Sequence, residues 1–312
     1  MEYTVNTPVA SVVFNRYDKA MQIFERIKQV KPSKFYIIAD GPRPGHPTDA
    51  ENCKKARSVF EKIDWDCQVF KNFAETNLGC GPRLFTGFSW VFQQEERAII
   101  LEDDCVPDLS FFPYCDELLE KYKEDERIML ISGSNINTVW QKGEYSYHFA
   151  KFGGIHGWAS WRRAWQKVDL DITLWQDLRT KQLLKGRLGA WHFYFLSKIY
   201  DRLVNHSKNV HTWDYQFDFA RFVNSGLAVV PSSNLVTNVG FGEDSTHTKD
   251  KNAKAANLKI VPLKFPLVHP PVVVEDSEYD KLVVSILFPK TLRVFLSVMK
   301  HELKRSIRKL LS

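Results

Sequence analysis

The chain has 312 residues, of which 44% are hydrophobic and 13% aromatic, a composition that excludes a disordered or fibrous protein and allows one large α/β core or two smaller ones. Its formal net charge of +6 is unevenly placed, because residues 281–312 contain eight basic side chains and only one acidic one. The remainder is close to neutral, which argues against a nucleic-acid groove across the fold and favours a surface partner for the basic tail.

Membrane and secretion signals are missing from the sequence pattern. The longest strongly apolar stretches, such as residues 282–288, are far shorter than the roughly 20 residues of a membrane-spanning helix. The first residues show neither the basic region nor the apolar core of a secretory signal. The five cysteines are odd in number and contain no C-x-x-C pair, so we expect reduced thiols in a cytoplasmic protein.

The first 130 residues alternate short apolar runs with amphipathic stretches. Such alternation predicts βαβ units and a mostly parallel sheet with right-handed crossovers. The predicted strands are residues 9–14, 35–39, 67–70, 98–101 and 128–132, and the predicted helices are residues 19–29, 49–62, 83–94 and 111–123.

From residue 140 onward the sequence becomes rich in tryptophan, with helical patterns and a later strand at residues 227–231. We assign residues 1–270 to one domain, with a nucleotide-binding half at about 1–135 and an acceptor-facing half at 136–270. Residues 271–312 form a predicted C-terminal tail. The polar stretch 243–257 is typical of a mobile loop.

An acidic triplet, Glu102-Asp103-Asp104, ends the apolar run 98–101. Open α/β sheets bind ligands at the carboxyl ends of their strands, so Asp104 is a candidate metal ligand, while Asp103 or Glu102 turns toward a ribose or the sheet. One or two carboxylates with two phosphate oxygens are the usual ligands of Mg²⁺ or Mn²⁺. The alternative is a solvated acidic turn after a core strand.

Several segments together resemble one family. Residues 9–16, the strand that ends in Asp40-Gly41, the turn Asn77-Leu78-Gly79 and residues 100–104 are similar to the nucleotide-binding half of GT-A glycosyltransferases, particularly N-acetylglucosaminyltransferase I and related bacterial glycosyltransferases. Residues 153–161 resemble the glycine-tryptophan segment of the donor-sugar pocket. Residues 213–216 resemble a Trp-Asp-Asp motif that contains the catalytic base, although Tyr215 replaces the second aspartate.

The resemblance implies a Rossmann-like α/β fold that binds a nucleotide-diphosphate sugar. It implies that Arg16 and Asp40 contact the base or phosphates, and that Asn77, Gly79 and Arg83 lie near the ribose and diphosphate. A purely structural interpretation stays open for three of them: a turn for Asp40, a positive φ for Gly79 and a solvated helix start for Arg83.

The same resemblance assigns the chemistry of the site. It implies that Asp104 holds Mn²⁺ or Mg²⁺ on the donor diphosphate and that Asp214 accepts the acceptor's proton in an inverting transfer. Because imidazole is a common ligand of such ions, His247 is a further candidate for the metal or the diphosphate, with a surface histidine as the alternative. Trp158, which follows a glycine, is expected to stack on the donor sugar, whereas helical spacing favours core packing for Trp165.

The expected partners are a nucleotide-sugar donor, most simply a UDP-sugar, and a glycan or lipid-linked acceptor, with no nucleic acid. Two alternatives remain at this stage. A sugar-1-phosphate nucleotidyltransferase needs a glycine-rich loop after the first strand, and residues 14–18 contain no glycine. A catalytically silent glycan-binding protein would bind nucleotide without consuming donor.

The tail has its own pattern. Its apolar residues follow helical spacing beside lysines and arginines, which suits an anionic membrane surface. We therefore expect residues 281–312 to place the enzyme peripherally on the inner face of the cell membrane; packing on its own domain or a second subunit is the alternative. The apolar stripe consists of Leu292, Phe295, Leu296, Met299, Leu303, Ile307 and Leu310.

Overall fold

The computed structural model describes residues 3–205, 212–240 and 257–288. The strands in these ranges are β1 (Val9–Val13), β2 (Lys34–Ala39), β3 (Gln68–Phe73), β4 (Arg97–Leu101), β5 (Cys105–Pro107), β6 (Ile128–Ser132), β7 (Tyr147–Ala150), β8 (Trp158–Trp161), β9 (Leu227–Pro231) and β10 (Val236–Asn238). The α-helices are α1 (Tyr17–Val30), α2 (Asp49–Ser58), α3 (Cys80–Gln94), α4 (Phe111–Lys121), α5 (Arg162–Trp165), α6 (Leu178–Asn205, kinked at Gly189), α7 (Asp214–Val223) and α8 (Ser277–Leu287).

Eight of the described strands form one sheet in the order β3-β2-β1-β4-β8-β6-β9-β7. Its first four strands pair in parallel, and β6 pairs in parallel with β9. Only β8 and β7 run against the others. The predicted α/β fold with a mostly parallel central sheet is therefore confirmed. A small antiparallel ribbon, β5 with β10, lies beside it.

Both faces of the sheet are covered, as the continuous apolar strands require. Alternate residues of β4 serve opposite layers: Ile99 packs in the core that holds α1 and α4, and Ile100 packs in the core that holds α3, α6 and α7. This burial fixes the register of the central strands, so the residues that follow them leave the sheet at fixed positions.

Every strand and helix predicted in the first 132 residues is present, with bounds that differ by a few residues. Trp158, Trp161 and Trp165 have the spacing of a helix, but only Trp165 lies in one. Residues 158–161 form the strand β8, and the helix α5 begins at residue 162. The strand places Trp158 opposite Ile100 of β4, in the middle of the sheet.

The described start of the predicted tail belongs to the globular body. Helix α8 begins at the cap Asp276, whose side chain accepts from two backbone N–H groups of the first turn. Its Tyr279, Val283 and Val284 are buried in the same core as α6 and α7. The apolar side chains of α8 therefore pack on the body, which is the alternative that the sequence left open for this part of the chain. The rest of the membrane prediction concerns residues 289–312, outside the described ranges.

No helix within the described ranges is both long and apolar enough to cross a bilayer.

We expect Asp280→Ala to detach α8. The buried carboxylate of Asp280 accepts from the backbone nitrogens of Lys151, at 3.0 Å, and Phe152, at 3.2 Å. Alanine would leave these groups unpaired, so the free energy of unfolding should fall by about 1–3 kcal/mol in urea denaturation. Glu278→Ala, which removes only an exposed ion pair on the same helix, is the control and should change it little. Equal stability of the Asp280→Ala protein and the wild type would contradict this anchoring role.

Candidate active site

The candidate site lies where the order in which strands are added to the sheet changes direction. Strands β1, β2 and β3 follow one another to one side, and β4 then adds to the other side of β1. The connecting helices α1 and α3 pack on opposite faces. A crevice opens at the carboxyl ends of such a strand pair, and ligands of open α/β sheets bind there. Arg16 follows β1, and the acidic triplet follows β4.

Arg16 bridges the two strand ends. Its guanidinium forms an ion pair with Asp103, and its Nη2 atom lies 3.4 Å from Asp104 Oδ2. The Asp103 side chain is only 9% exposed, whereas Arg16 is 27% exposed. Asp103 therefore faces Arg16, and the contact of Asp103 or Glu102 with a ribose stays a prediction. Arg16 still offers positive charge to the crevice.

Asp104 is the accessible carboxylate of the triplet, with 21% of its side chain exposed. Its backbone oxygen accepts from Val239, and its Oδ1 atom lies 3.3 Å from the Asn238 amide nitrogen in β10. A β-carbon on Gly240 would collide with the Asp104 carboxylate, so only glycine lets the chain pass so close. The side-chain contacts of Asp104 are all long, which leaves its oxygens available to a ligand.

Unbalanced negative charge surrounds this point. Burial raises the pKa of Glu102 well above its ordinary value, and the charges of Asp104, Asp103 and Asp214 raise it further. The thiol of Cys80, at the start of α3, lies within reach of the same carboxylates, and burial together with Glu102, Asp214 and Asp104 raises its pKa to about 12. Such crowding favours a cationic ligand.

The sequence interpretation missed His156 and the segment 238–240. Burial lowers the pKa of the His156 imidazole, and the nearby Asp104 carboxylate opposes that change. In the sequence, the one sign of this site is a histidine next to a glycine. The structure gives that glycine, Gly157, a φ of +63°. Asn238 and Gly240 gave no signal, because only the fold brings them beside Asp104.

Asp214 begins helix α7 and accepts from the hydroxyl of Thr212. Burial and the negative charge of Asp218 raise the pKa of Asp214 to about 6. This carboxylate is therefore mostly ionised at neutral pH and binds a proton more strongly than an ordinary aspartate, as a general base requires. The charge of Asp214 also raises the pKa values of Glu102 and Cys80, so α7 begins near the acidic triplet. The other predicted ligand, His247, lies outside the described residues.

Asp40 stabilises the turn that precedes α3. Its carboxylate accepts from the backbone nitrogens of Gly41, Leu78 and Gly79 and from the Asn77 amide, at 2.8–3.1 Å. Gly79 has a φ of +81° and precedes the first residue of α3. The predicted contact of Asp40 with the nucleotide is wrong, because four protein donors already occupy this carboxylate. With Asn77 and Gly79 it holds the turn that aims α3 at the crevice.

Arg83 is also structural. Only 4% exposed, it donates through Nε to the Ala39 carbonyl at 3.1 Å and through Nη2 to the Asn72 side-chain oxygen at 3.0 Å. These bonds join the ends of β2 and β3. The prediction that Arg83 lies near the diphosphate is therefore wrong, since its donors point at the sheet.

Trp158 has no exposed surface. Its ring stacks on Trp213 at 5.2 Å and on Trp165 at 6.1 Å, and it meets Phe88 edge to face at 5.3 Å. The predicted stacking of Trp158 on a sugar is wrong, because protein rings cover it. The core packing predicted for Trp165 is confirmed, with 4% exposure. This aromatic cluster instead fixes Trp213, the residue before Asp214.

No protein-family model and no curated protein match the sequence. Among solved structures, a galactosyltransferase in complex with donor and acceptor sugar analogues is 8% identical, with a TM-score of 0.37 over 93% of this chain and 99% of that one. An inositol-1-phosphate CTP transferase from T. maritima is 10% identical, with a TM-score of 0.38 over 81% and 95%. A UDP-glucose pyrophosphorylase with bound UDP-glucose is 9% identical, with a TM-score of 0.32 over 52% and 78%. Likenesses this weak carry no conclusion about function.

We expect Trp158→Ala to damage stability rather than ligand recognition. Removing a buried indole should lower the free energy of unfolding by about 3–5 kcal/mol in urea denaturation. Trp158→Phe, which keeps an aromatic ring, should cost less. Near-normal stability combined with lost binding of a nucleotide sugar, measured by calorimetry, would restore the sugar-stacking interpretation.

Proposed function

We propose that this protein is a metal-dependent glycosyltransferase that moves a sugar from a nucleotide-sugar donor to an acceptor hydroxyl. The observation that carries the proposal is the meeting of three groups at the switch point of the sheet. Arg16 and Asp104 leave adjacent strands there, and Asp214, with a pKa of about 6, lies near enough for its charge to raise the pKa of Glu102 beside them. A cation, an accessible carboxylate and a general base are the groups that this transfer needs.

The donor set fits a hard divalent ion completed by phosphate oxygens. Within the described ranges, no group of three or more histidine, cysteine, aspartate or glutamate side chains is arranged to hold a metal. Asp104 has accessible oxygens, and after burial the charges of Asp104, Asp103 and Asp214 raise the pKa of Glu102 beside it. Mg²⁺ and Mn²⁺ are commonly held by one or two carboxylates plus substrate phosphates, so Asp104 with a diphosphate would suffice. Such an ion would neutralise charge on the departing nucleoside diphosphate.

The protein's own groups then divide the work. Arg16 presents positive charge to the donor diphosphate, and Asp103 fixes its direction. The acceptor oxygen attacks the anomeric carbon as the bond from that carbon to the diphosphate breaks, and Asp214 takes the acceptor's proton. Attack from the face opposite the leaving group inverts the anomeric centre.

The identity of the partners rests on the sequence resemblance. It favours a UDP-sugar donor of the hexose or N-acetylhexosamine type and a glycan or lipid-linked acceptor. Docking on an anionic membrane through the basic residues after 288 remains part of this proposal, because it would bring the crevice to a lipid-linked acceptor.

Asp104→Ala should abolish transfer and weaken Mn²⁺ binding in the presence of UDP by at least about 10-fold, measured by isothermal titration calorimetry. The accessible carboxylate makes only long side-chain contacts, so the fold should survive. Asp66→Ala, which removes an exposed carboxylate, is the control. Unchanged Mn²⁺ affinity, or full wild-type turnover in a chelator, would exclude the metal role.

Asp214→Asn should lower turnover by at least about 10²-fold while donor affinity changes little. Only the ionised carboxylate accepts a proton, so wild-type turnover should rise with pH through about 6 and then level off. Initial rates between pH 4.5 and 8.5 measure this rise of turnover with pH. The control Asp171→Asn, at an exposed site, should show the same rise as the wild type. A variant at position 214 that retains the rate would place the base elsewhere.

A further inference from the structure

Helix α7 aligns three ionisable side chains on one face. Asp214, Asp218 and Arg221 are spaced i, i+4 and i+7, so each lies one turn from the next. Asp214 is the first residue of the helix, and Arg221, near its other end, is buried.

Arg221 is the side chain of this row that burial and direct contacts hold most firmly in place. Its side chain has no exposed surface, its Nη2 atom pairs with Asp218, and its Nη1 atom donates to the Lys151 carbonyl at 3.1 Å. A guanidinium stays charged in proteins, and a buried charge needs a partner. Burial raises the pKa of Asp218 above its ordinary value, and the contact with Arg221 opposes that rise. The direct ion pair with Arg221 fixes the position of the Asp218 side chain and stabilises its charged form.

Asp218 in turn acts on Asp214. Burial is the main cause of the raised pKa of Asp214, and the charge of Asp218, one turn away on the same helix, raises it further. Other titratable groups face this carboxylate from neighbouring elements, and none of them is a cation: Glu102 after β4, Cys80 in α3, Tyr200 in α6 and Tyr215 in α7.

We propose that Asp218 is a positioning residue for the base: Arg221 locks it as a fixed negative charge one turn behind Asp214, and this charge favours transfer of the acceptor's proton onto Asp214. The role of Asp218 in catalysis rests on the proposed function, whereas its electrostatic effect on Asp214 does not. Asp218 itself is withheld from proton transfer by its ion pair.

The test measures the titration of Asp214 directly, by ¹³C NMR of its side-chain carboxyl in the full chain, with Asp214→Asn identifying the signal. In the wild type this carboxyl should titrate near pH 6. Asp218→Asn should move the titration to lower pH by about one unit, because it removes a like charge at close range. Where donor turnover is measurable, its acid limb should move equally.

Two further variants separate the charge effect from damage to the fold. Asp218→Asn leaves Arg221 buried without its partner, so the double variant Asp218→Asn, Arg221→Gln removes both charges and should also titrate lower. Asp218→Glu keeps the charge and should titrate near the wild-type pH. An Asp214 titration unchanged in both neutral variants, or shifted equally by Asp218→Glu, would overturn the proposal. Absence of donor turnover alongside the predicted shifts would instead refute the proposed function alone.

Discussion

The ion pair between Arg16 and Asp103 is the interaction on which the site depends. It joins the ends of β1 and β4, the two strands between which the crevice opens. Without it, three consecutive carboxylates would meet at one strand end without any compensating charge. With it, Asp103 is neutralised within the protein, and Asp104 keeps accessible oxygens. The same guanidinium lies 3.4 Å from Asp104, so one residue contacts two members of the acidic triplet.

The aromatic core behind the candidate site holds the start of α7 in place. Trp158, Trp165 and Trp213 pack against one another and Phe88, and this cluster sets where α7 begins. Burial at that point gives Asp214 its raised pKa, and the Asp218 charge adds to it. Burial among aromatic rings lowers the local dielectric, which strengthens electrostatic effects. Trp158, Trp165 and Trp213 are core residues that pack beside the start of α7.

The sequence predicted the first half of the fold well, because apolar runs such as 98–101 are buried on both faces and allow few other structures. It could not predict the partners of polar residues, since Arg16 and Asp103 are 87 positions apart. Asp40, Arg83 and Trp158 were assigned to ligand, yet each is consumed by contacts that only the folded sheet creates. The spacing of Trp158, Trp161 and Trp165 suits a helix, and nothing local revealed that β4 would recruit residues 158–161 as a strand.

The central claim is that a nucleotide sugar is the substrate and a nucleoside diphosphate is the product. Incubating the purified full chain with a panel of nucleotide sugars and Mn²⁺, and following the nucleotide products by chromatography, tests it most directly. We expect release of a nucleoside diphosphate from at least one donor, and a chelator should stop it. Formation of pyrophosphate from a nucleoside triphosphate and a sugar 1-phosphate, with no diphosphate released from any donor, would contradict it.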